Sequence, residues 1–185
     1  MSESTMNPRY LAIGAVIYAI VSALWVVITA VFGSLSNAVV LGTAVTLIIL
    51  LIAAAFFTLQ QSAKSPLPQA GSAELGKWFG IIFAAEGIGI GVGSGVLVGL
   101  GHPDWIAPWV AVVVGLHFLP LARLLKLAFD YVLGAAIIVW VVAIVVLLPT
   151  SAWPSLIGLG TAVLLWLAGW GRLWVAHQAL HPSLS

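Results

Sequence analysis

The chain has 185 residues, of which 63% are hydrophobic and only 6% charged. Because soluble domains carry about 25% charged residues, these charges are too few to cover a water-facing surface, and the composition predicts an integral membrane protein whose main partner is the lipid bilayer. Six Lys and Arg against five Asp and Glu cannot form the basic patch of a nucleic-acid-binding protein, so we expect no nucleic-acid partner. The absence of cysteine excludes disulfides, thiolate metal sites and Fe–S clusters.

Six apolar segments are long enough to cross a bilayer, which takes about 20 residues in a helix. The polar N-terminus, MSESTMNPRY, lacks the basic region and cleavage site of a secretory signal peptide, so the first segment is expected to be a mature span. The predicted fold is all-α, a polytopic transmembrane bundle of six helices with short loops. It forms a single domain over residues 1–185, with a cytoplasmic loop over about 61–76. The predicted spans are 10–32, 36–60, 77–101, 105–121, 126–148 and 153–177.

Short polar segments separate most of the spans. Three of these segments offer N-caps, because their side-chain oxygens can accept bonds from free backbone N–H groups. The candidates are Ser34, Ser36 and Asn37 for the second helix, Asp104 for the fourth, and Thr150 or Ser151 for the sixth. The turns after the first, third and fifth spans are short, so each joins antiparallel neighbours. One compact bundle is the simplest architecture.

The basic residues predict the orientation of the bundle. With six antiparallel spans both termini lie on one side, and that side receives every Lys and Arg of the chain. The positive-inside rule therefore predicts that both termini are cytoplasmic. The basic residues are Arg9, Lys64, Lys77, Arg123, Lys126 and Arg172.

Alternating glycines occupy the third span, in the segment EGIGIGVGSGVLVG at 86–99. At about 100° per residue they form two stripes of GxxxG spacing on roughly opposite faces. Small residues let helices approach closely in lipid, so the stripes predict a central helix packed on both sides. The alternative is a groove, with Ser94 nearby, that admits water, an ion or a small substrate. The first stripe is Gly87, Gly91, Gly95 and Gly99, and the second is Gly89 and Gly93.

Within this ladder, GIGIGVGSG at 87–95 resembles the glycine-rich helix of the ring subunits of rotary ATP synthases. Those subunits are two-helix hairpins with the ion-binding carboxylate on the other helix. This chain has six predicted helices and places Glu86 before the glycines on the same helix. The resemblance therefore implies shared packing and not a shared activity.

Glu86 is a carboxylate near the expected middle of the membrane. It lies nine residues after Lys77, about 13 Å along the third helix. A charge at that depth costs about 2.5–3.5 kcal/mol on insertion scales, so it needs a partner, water or a proton. His117 lies six residues before Arg123, about 9 Å from the inner end of the fourth helix. The matching depths predict that Glu86 and His117 pair.

Pro120 adds a backbone acceptor near this histidine. Because proline has no N–H, the carbonyl of Leu116 loses its helical partner and is expected beside the imidazole of His117. The alternative is that His117 is a packing residue, whose ring nitrogens bond to a neighbouring carbonyl or serine hydroxyl and which has no functional role. Both interpretations are open from the sequence.

The remaining charges are expected near the inner interface. Lys126 and Asp130 are four residues apart and can pair on one helix face, and with Arg123 they are expected to anchor the topology. Arg172 is expected either to snorkel to lipid phosphates or to compensate Glu86. The histidines have no His-x-x-His or Glu-x-x-His spacing on any span, so we expect no metal and no cofactor.

The segment GLHFLPLARLLK at 115–126 is similar to a motif of small uncharacterised bacterial six-helix integral membrane proteins. The resemblance implies a bacterial inner-membrane protein and carries no activity. The resemblance includes His117, Pro120 and Arg123 and supports their choice as candidate site residues.

Three classes of function are open. The first is a transporter or channel in which Glu86 and His117 pass a proton, a cation or a small solute; because one copy offers few polar lining groups, a homo-oligomer is a candidate partner. The second is a structural or accessory protein in which the pair only joins helices. The third is a membrane enzyme acting on lipid or quinone at the cytoplasmic face, although no nucleophile–base motif supports it. The enzyme would use His117, Arg123, Asp130 and Arg172.

Overall fold

The structure, a computed structural model, describes residues 7–32, 37–64, 72–125 and 127–181. Within those ranges the chain forms helices and turns without a strand, and six of the helices are long and apolar enough to cross a membrane. The prediction of an all-α fold with six such helices is confirmed. They are α1 (Pro8–Phe32), α2 (Ala38–Gln61), α3 (Ser72–Gly99), α4 (Ile106–Leu125), α5 (Ala128–Leu147) and α6 (Trp153–Leu180).

Local sequence signals account for one of the three predicted caps. The N-cap of α6 is Ala152 and neither Thr150 nor Ser151, because those two lie inside a 3-10 turn, Thr150–Ala152. The side-chain oxygen of Asn37 accepts hydrogen bonds from the backbone N–H groups of Val39, at 2.9 Å, and Val40, at 3.4 Å. Of the three candidates, Asn37 is therefore the N-cap of α2. Asp104 is not the N-cap of α4, because it lies inside a short 3-10 turn, Pro103–Trp105, that comes before α4.

α1 and α6 form the central pair of the bundle and share its most extensive helix contact. Small residues permit their close approach, since a Cβ on Gly158 of α6 would overlap the side chain of Thr29 of α1. Across the same interface the Ser22 hydroxyl donates to the carbonyl oxygen of Ala162 at 2.8 Å. Close packing of small residues with interhelical hydrogen bonds is how helices associate where lipid is the solvent.

α4 and α5 form a second close pair, which packs against α6. They cross at Gly115 and Gly134, where a Cβ on Gly115 would lie 3.1 Å from the Gly134 carbonyl oxygen. α2 packs on the other side, against α1 and α6, and Trp166 of α6 donates from Nε1 to the Leu47 carbonyl at 3.0 Å. The body of the bundle is therefore α1, α2, α4, α5 and α6.

α3 lies at the edge of this body. It begins at Ser72, inside the segment predicted as a loop, and its substantial helix contact is with α4. Of the α3 side chains that the structure describes, Ile82 alone is buried. The prediction of a central helix packed on both sides is therefore wrong, because only one face of α3 has a neighbouring helix to pack against.

Candidate functional site

Glu86 of α3 and His117 of α4 face each other, and we call them the Glu–His pair. Glu86 Oε1 lies 3.3 Å from His117 Nδ1, and the two side chains are 14% and 10% exposed. The structure thus brings together the two residues whose depths along their helices match. The distance exceeds the roughly 2.7–2.9 Å of a tight charge-assisted hydrogen bond, so the contact is loose.

A backbone carbonyl also holds the imidazole of His117. Its Nδ1 lies 2.8 Å from the carbonyl oxygen of Val114, one turn earlier in α4. Since a carbonyl only accepts, Nδ1 carries a proton in this arrangement, and Nε2 is the nitrogen that gains or loses a second proton. The expected partner, Leu116, is not the carbonyl that the ring contacts, because the side chain points back toward the preceding turn of its helix.

The Glu–His pair lines a cavity of about 250 Å³ between α1, α3 and α4, which we call the pair cavity. Most of its wall is apolar. Besides the pair, its polar groups belong to Tyr18 and Trp25 of α1. Because a water molecule takes up about 30 Å³ in the liquid, the cavity has room for several water molecules or a small solute beside two ionisable side chains.

A second polar cluster, the buried triad of Tyr18, Asp130 and Arg172, joins α1, α5 and α6. Arg172 Nη2 donates to Asp130 Oδ2 at 2.5 Å and to the Tyr18 oxygen at 2.8 Å, and the Tyr18 hydroxyl donates to Asp130 Oδ1 at 2.7 Å. Asp130 is 0% and Arg172 only 6% exposed. The guanidinium also lies 4.5 Å from the centre of the Tyr18 ring, a cation–π contact. The two buried charges therefore compensate each other.

The triad corrects two expectations from the sequence. Asp130 is not exposed to lipid or water; it is fully buried and pairs with Arg172, while its expected partner Lys126 lies outside the described residues. The charge of Arg172 is compensated by Asp130 and not by Glu86, and its side chain is almost fully buried. This pair could have been predicted from the sequence. Asp130 lies 17 residues before the end of α5 and Arg172 lies 19 residues after the start of α6. Because a short turn joins the two helices, these nearly equal distances place both residues at about the same level.

An aromatic ring packs between the two polar clusters. The Phe118 ring centre lies 4.3 Å from that of His117 and 5.6 Å from that of Tyr18. Tyr18 also lines the pair cavity. The Glu–His pair and the buried triad are therefore neighbours around one cavity. Tyr18 was not among the predicted site residues, because one tyrosine in an apolar helix carries no spacing signal.

Other predicted site residues lie apart from the pair cavity. Arg123 is exposed in the last turn of α4, and Pro120 lies inside α4 without ending it. The Ser94 hydroxyl oxygen is buried and has no hydrogen-bond partner in the part of the chain that the structure describes. Among the described residues, no three His, Asp or Glu side chains are grouped so that they could hold a metal ion.

The two glycine stripes of α3 have different surroundings. Trp109 of α4 covers the second stripe, because its Nε1 donates to the Gly89 carbonyl at 3.0 Å and its indole fills the space that a Cβ on Gly93 would need. On the first stripe an added Cβ would have nothing within 4 Å. We call this first stripe the open glycine ribbon. It consists of Gly87, Gly91, Gly95 and Gly99.

Gly14 of α1 makes room for the Arg172 guanidinium, since a Cβ there would overlap Nη1. Gly14→Ala is therefore expected to displace the guanidinium and to lower the free energy of unfolding by about 1–3 kcal/mol, as overpacking usually does. Gly42→Ala is the matched control, because a Cβ on this α2 residue meets nothing within 4 Å and alanine is the better helix former by about 1 kcal/mol. Chemical unfolding in detergent measures both variants, and equal changes would contradict the packing assigned to Gly14.

No family model matches the chain, and neither a curated protein nor a solved structure matches it. Its function is therefore inferred from its own side chains. Two observations carry that inference. An acid and an imidazole face each other in a largely apolar cavity, and the Phe118 ring packs between this imidazole and Tyr18, which is hydrogen-bonded to a buried ion pair.

Proposed function

We propose that the chain is a proton-linked transporter of a bacterial inner membrane, with both termini in the cytoplasm and the Glu–His pair carrying the proton. The observation that carries this proposal is the 3.3 Å contact of Glu86 and His117 on the wall of one cavity. Ionisable residues within membrane spans are rare and mostly mark substrate pathways or proton relays. Two of them on neighbouring helices, with space beside them, support such a pathway.

The pair can pass one proton in a balanced step. A proton that enters the cavity binds Nε2 of His117, so that the ring holds two protons, and the Nδ1 proton then passes to Oε1 of Glu86, 3.3 Å away. The products are a neutral imidazole with its proton on Nε2 and a neutral glutamic acid. In this step Nδ1 gives up its hydrogen bond to Val114. To complete a transport cycle, Glu86 must release this proton on the other side, and the imidazole must lose its proton from Nε2 and take one up on Nδ1, which then regains its bond to Val114.

Proton flux into proteoliposomes tests this proposal. Liposomes that contain the purified wild-type protein and an internal pH indicator are expected to follow an external pH step faster than protein-free liposomes do. Potassium and valinomycin in both samples remove the opposing voltage. A wild-type flux equal to that of protein-free liposomes, for steps in both directions, would contradict the proposal.

A second copy of the chain is the proposed partner for the open glycine ribbon. α3 carries Glu86 yet has substantial contact with one helix alone, α4. The ribbon repeats glycine at every fourth residue, the spacing with which two helices approach closely in lipid. Pairing of α3 between two copies would cover the ribbon and bring two pair cavities into one assembly.

Gly91→Leu is expected to weaken this association, because a large side chain at the middle of the ribbon keeps two α3 helices apart. Since the chain has no cysteine, Leu100→Cys supplies one labelling site, and energy transfer between donor- and acceptor-labelled copies in liposomes measures association. Val92→Leu is the control, because Val92 is 63% exposed and lies beside the ribbon. Equal energy transfer for Gly91→Leu and Val92→Leu would count against pairing through the ribbon.

A further inference from the structure

A second cavity lies at the end of the bundle where α1 and α3 begin and α4 ends; we call it the end cavity. Its volume is about 410 Å³, within the range of small-molecule sites. Its wall is mostly apolar, and Asn7 and Tyr10 add polar groups at the start of α1. α1 and α3 barely touch each other, so an apolar molecule can approach the cavity from surrounding lipid between these helices.

Arg172 lines the end cavity and has hydrogen-bond donors left over. Both of its hydrogen bonds within the buried triad are donated by Nη2. Nε is buried without a partner in the described structure, and Nη1 lies against Gly14, another residue of the cavity wall. Because an unsatisfied buried donor is unfavourable, an acceptor brought by a ligand would be stabilised here.

The charges around the end cavity favour an anion. Asp130 already compensates Arg172. The other charged side chains described at this end are Arg9, Lys77 and Arg123 against Glu74, three positive charges and one negative, which leaves a net charge of +2. A concentration of one sign of charge attracts ligands of the opposite sign.

We infer that the end cavity binds an amphipathic carboxylate such as a fatty-acid anion. Its carboxylate would accept hydrogen bonds from the guanidinium donors that Asp130 and Tyr18 leave unused, and its hydrocarbon chain would lie against the apolar wall. The planar guanidinium matches the two oxygens of a carboxylate, and a single charge is less costly to bury than the nearly two charges of a phosphate monoester. The end cavity shares the wall residue Ile17 with the pair cavity, but the inference stands whether or not the protein moves protons.

Binding of radiolabelled decanoate to the full chain in nanodiscs tests this inference. Saturable binding above that of empty nanodiscs is expected, with displacement by unlabelled decanoate. Decanol, which lacks the charge, and acetate, which lacks the chain, are expected to displace it at least tenfold less well. Equal displacement by decanol would overturn the inference, and so would tighter competition by decyl phosphate, which would indicate a phosphate site.

The variant Ile13→Trp provides a second test of the inference and does not change a residue of the buried triad. Ile13 lines the end cavity, and the larger ring would fill it, so decanoate affinity is expected to fall at least tenfold. Ile20→Trp is the matched control, because Ile20 lies on the same helix, is 59% exposed and is not part of the cavity wall. Unchanged affinity in folded Ile13→Trp would overturn the inference. If that variant does not fold, the comparison of decanoate with decanol decides the question.

Discussion

Asp130→Asn is expected to lower the free energy of unfolding by about 3–5 kcal/mol. The substitution keeps the size of the side chain but removes the charge that compensates Arg172, whose side chain remains buried. An uncompensated buried charge is far more costly than the loss of one hydrogen bond. Arg172→Met is expected to have an effect of the same order, because it leaves the carboxylate of Asp130 alone. Unfolding in mixed micelles with rising SDS measures both variants.

A double-mutant cycle separates the ion pair from general damage to the core. Asp130→Asn combined with Arg172→Met is expected to cost less than the sum of the single changes, because neither charge is then left unpaired. Asp104→Asn is the control, since Asp104 is exposed at the opposite end of the bundle and its loss is expected to change stability by about 0.5 kcal/mol or less. Strictly additive losses in the cycle would show that the two residues do not form a coupled pair.

Glu86→Gln is expected to reduce proton flux to the level of protein-free liposomes. Glutamine has the shape of glutamate and can still contact Nδ1 of His117, but its amide does not take up the proton that the carboxylate accepts. The proton route therefore ends at the imidazole. The effect is expected to be complete because, among the described residues, no second carboxylate lines the pair cavity.

The stability of the same variant distinguishes transport from a purely structural role. The 3.3 Å contact is loose, and both side chains are partly exposed at the edge of the bundle, so Glu86→Gln is expected to change the free energy of unfolding by about 1 kcal/mol or less. If the pair serves only to join α3 and α4, Glu86→Gln and His117→Ala destabilise the fold and the wild type shows no flux. A stable variant without flux therefore supports transport, and an unstable one without wild-type flux supports the accessory role.

The helices could be predicted from the sequence because apolar length alone decides whether a segment can cross a bilayer. The place of α3 could not be predicted. Lipid-facing and core-facing positions of a membrane helix are both apolar, so hydropathy does not tell a central helix from one at the edge. The open glycine ribbon has the spacing of a packed interface, yet within one copy its glycines meet nothing within 4 Å.

The contact of Glu86 and His117 could be predicted because α3 and α4 are joined by a short turn. Residues equally far from such a turn lie at one level, and Glu86 is 13 residues before the end of α3 while His117 is 11 after the start of α4. The same comparison applied to α5 and α6 would have paired Asp130 with Arg172. The sequence spacing of Lys126 and Asp130 pointed instead to a local partner. Tyr18 could not be found this way, because the rotation of α1 about its axis decides which of its residues face the triad.

The most direct test of the proposed proton route compares three proteins at equal density in liposomes: wild type, Glu86→Gln and Glu74→Gln. Glu74 is an exposed carboxylate in the first turn of the same helix, so its variant controls for the loss of one negative charge from α3. We predict that Glu74→Gln retains the wild-type proton flux and that Glu86→Gln falls to the rate of protein-free liposomes. Wild-type flux in Glu86→Gln would contradict the assignment of Glu86 as the proton carrier.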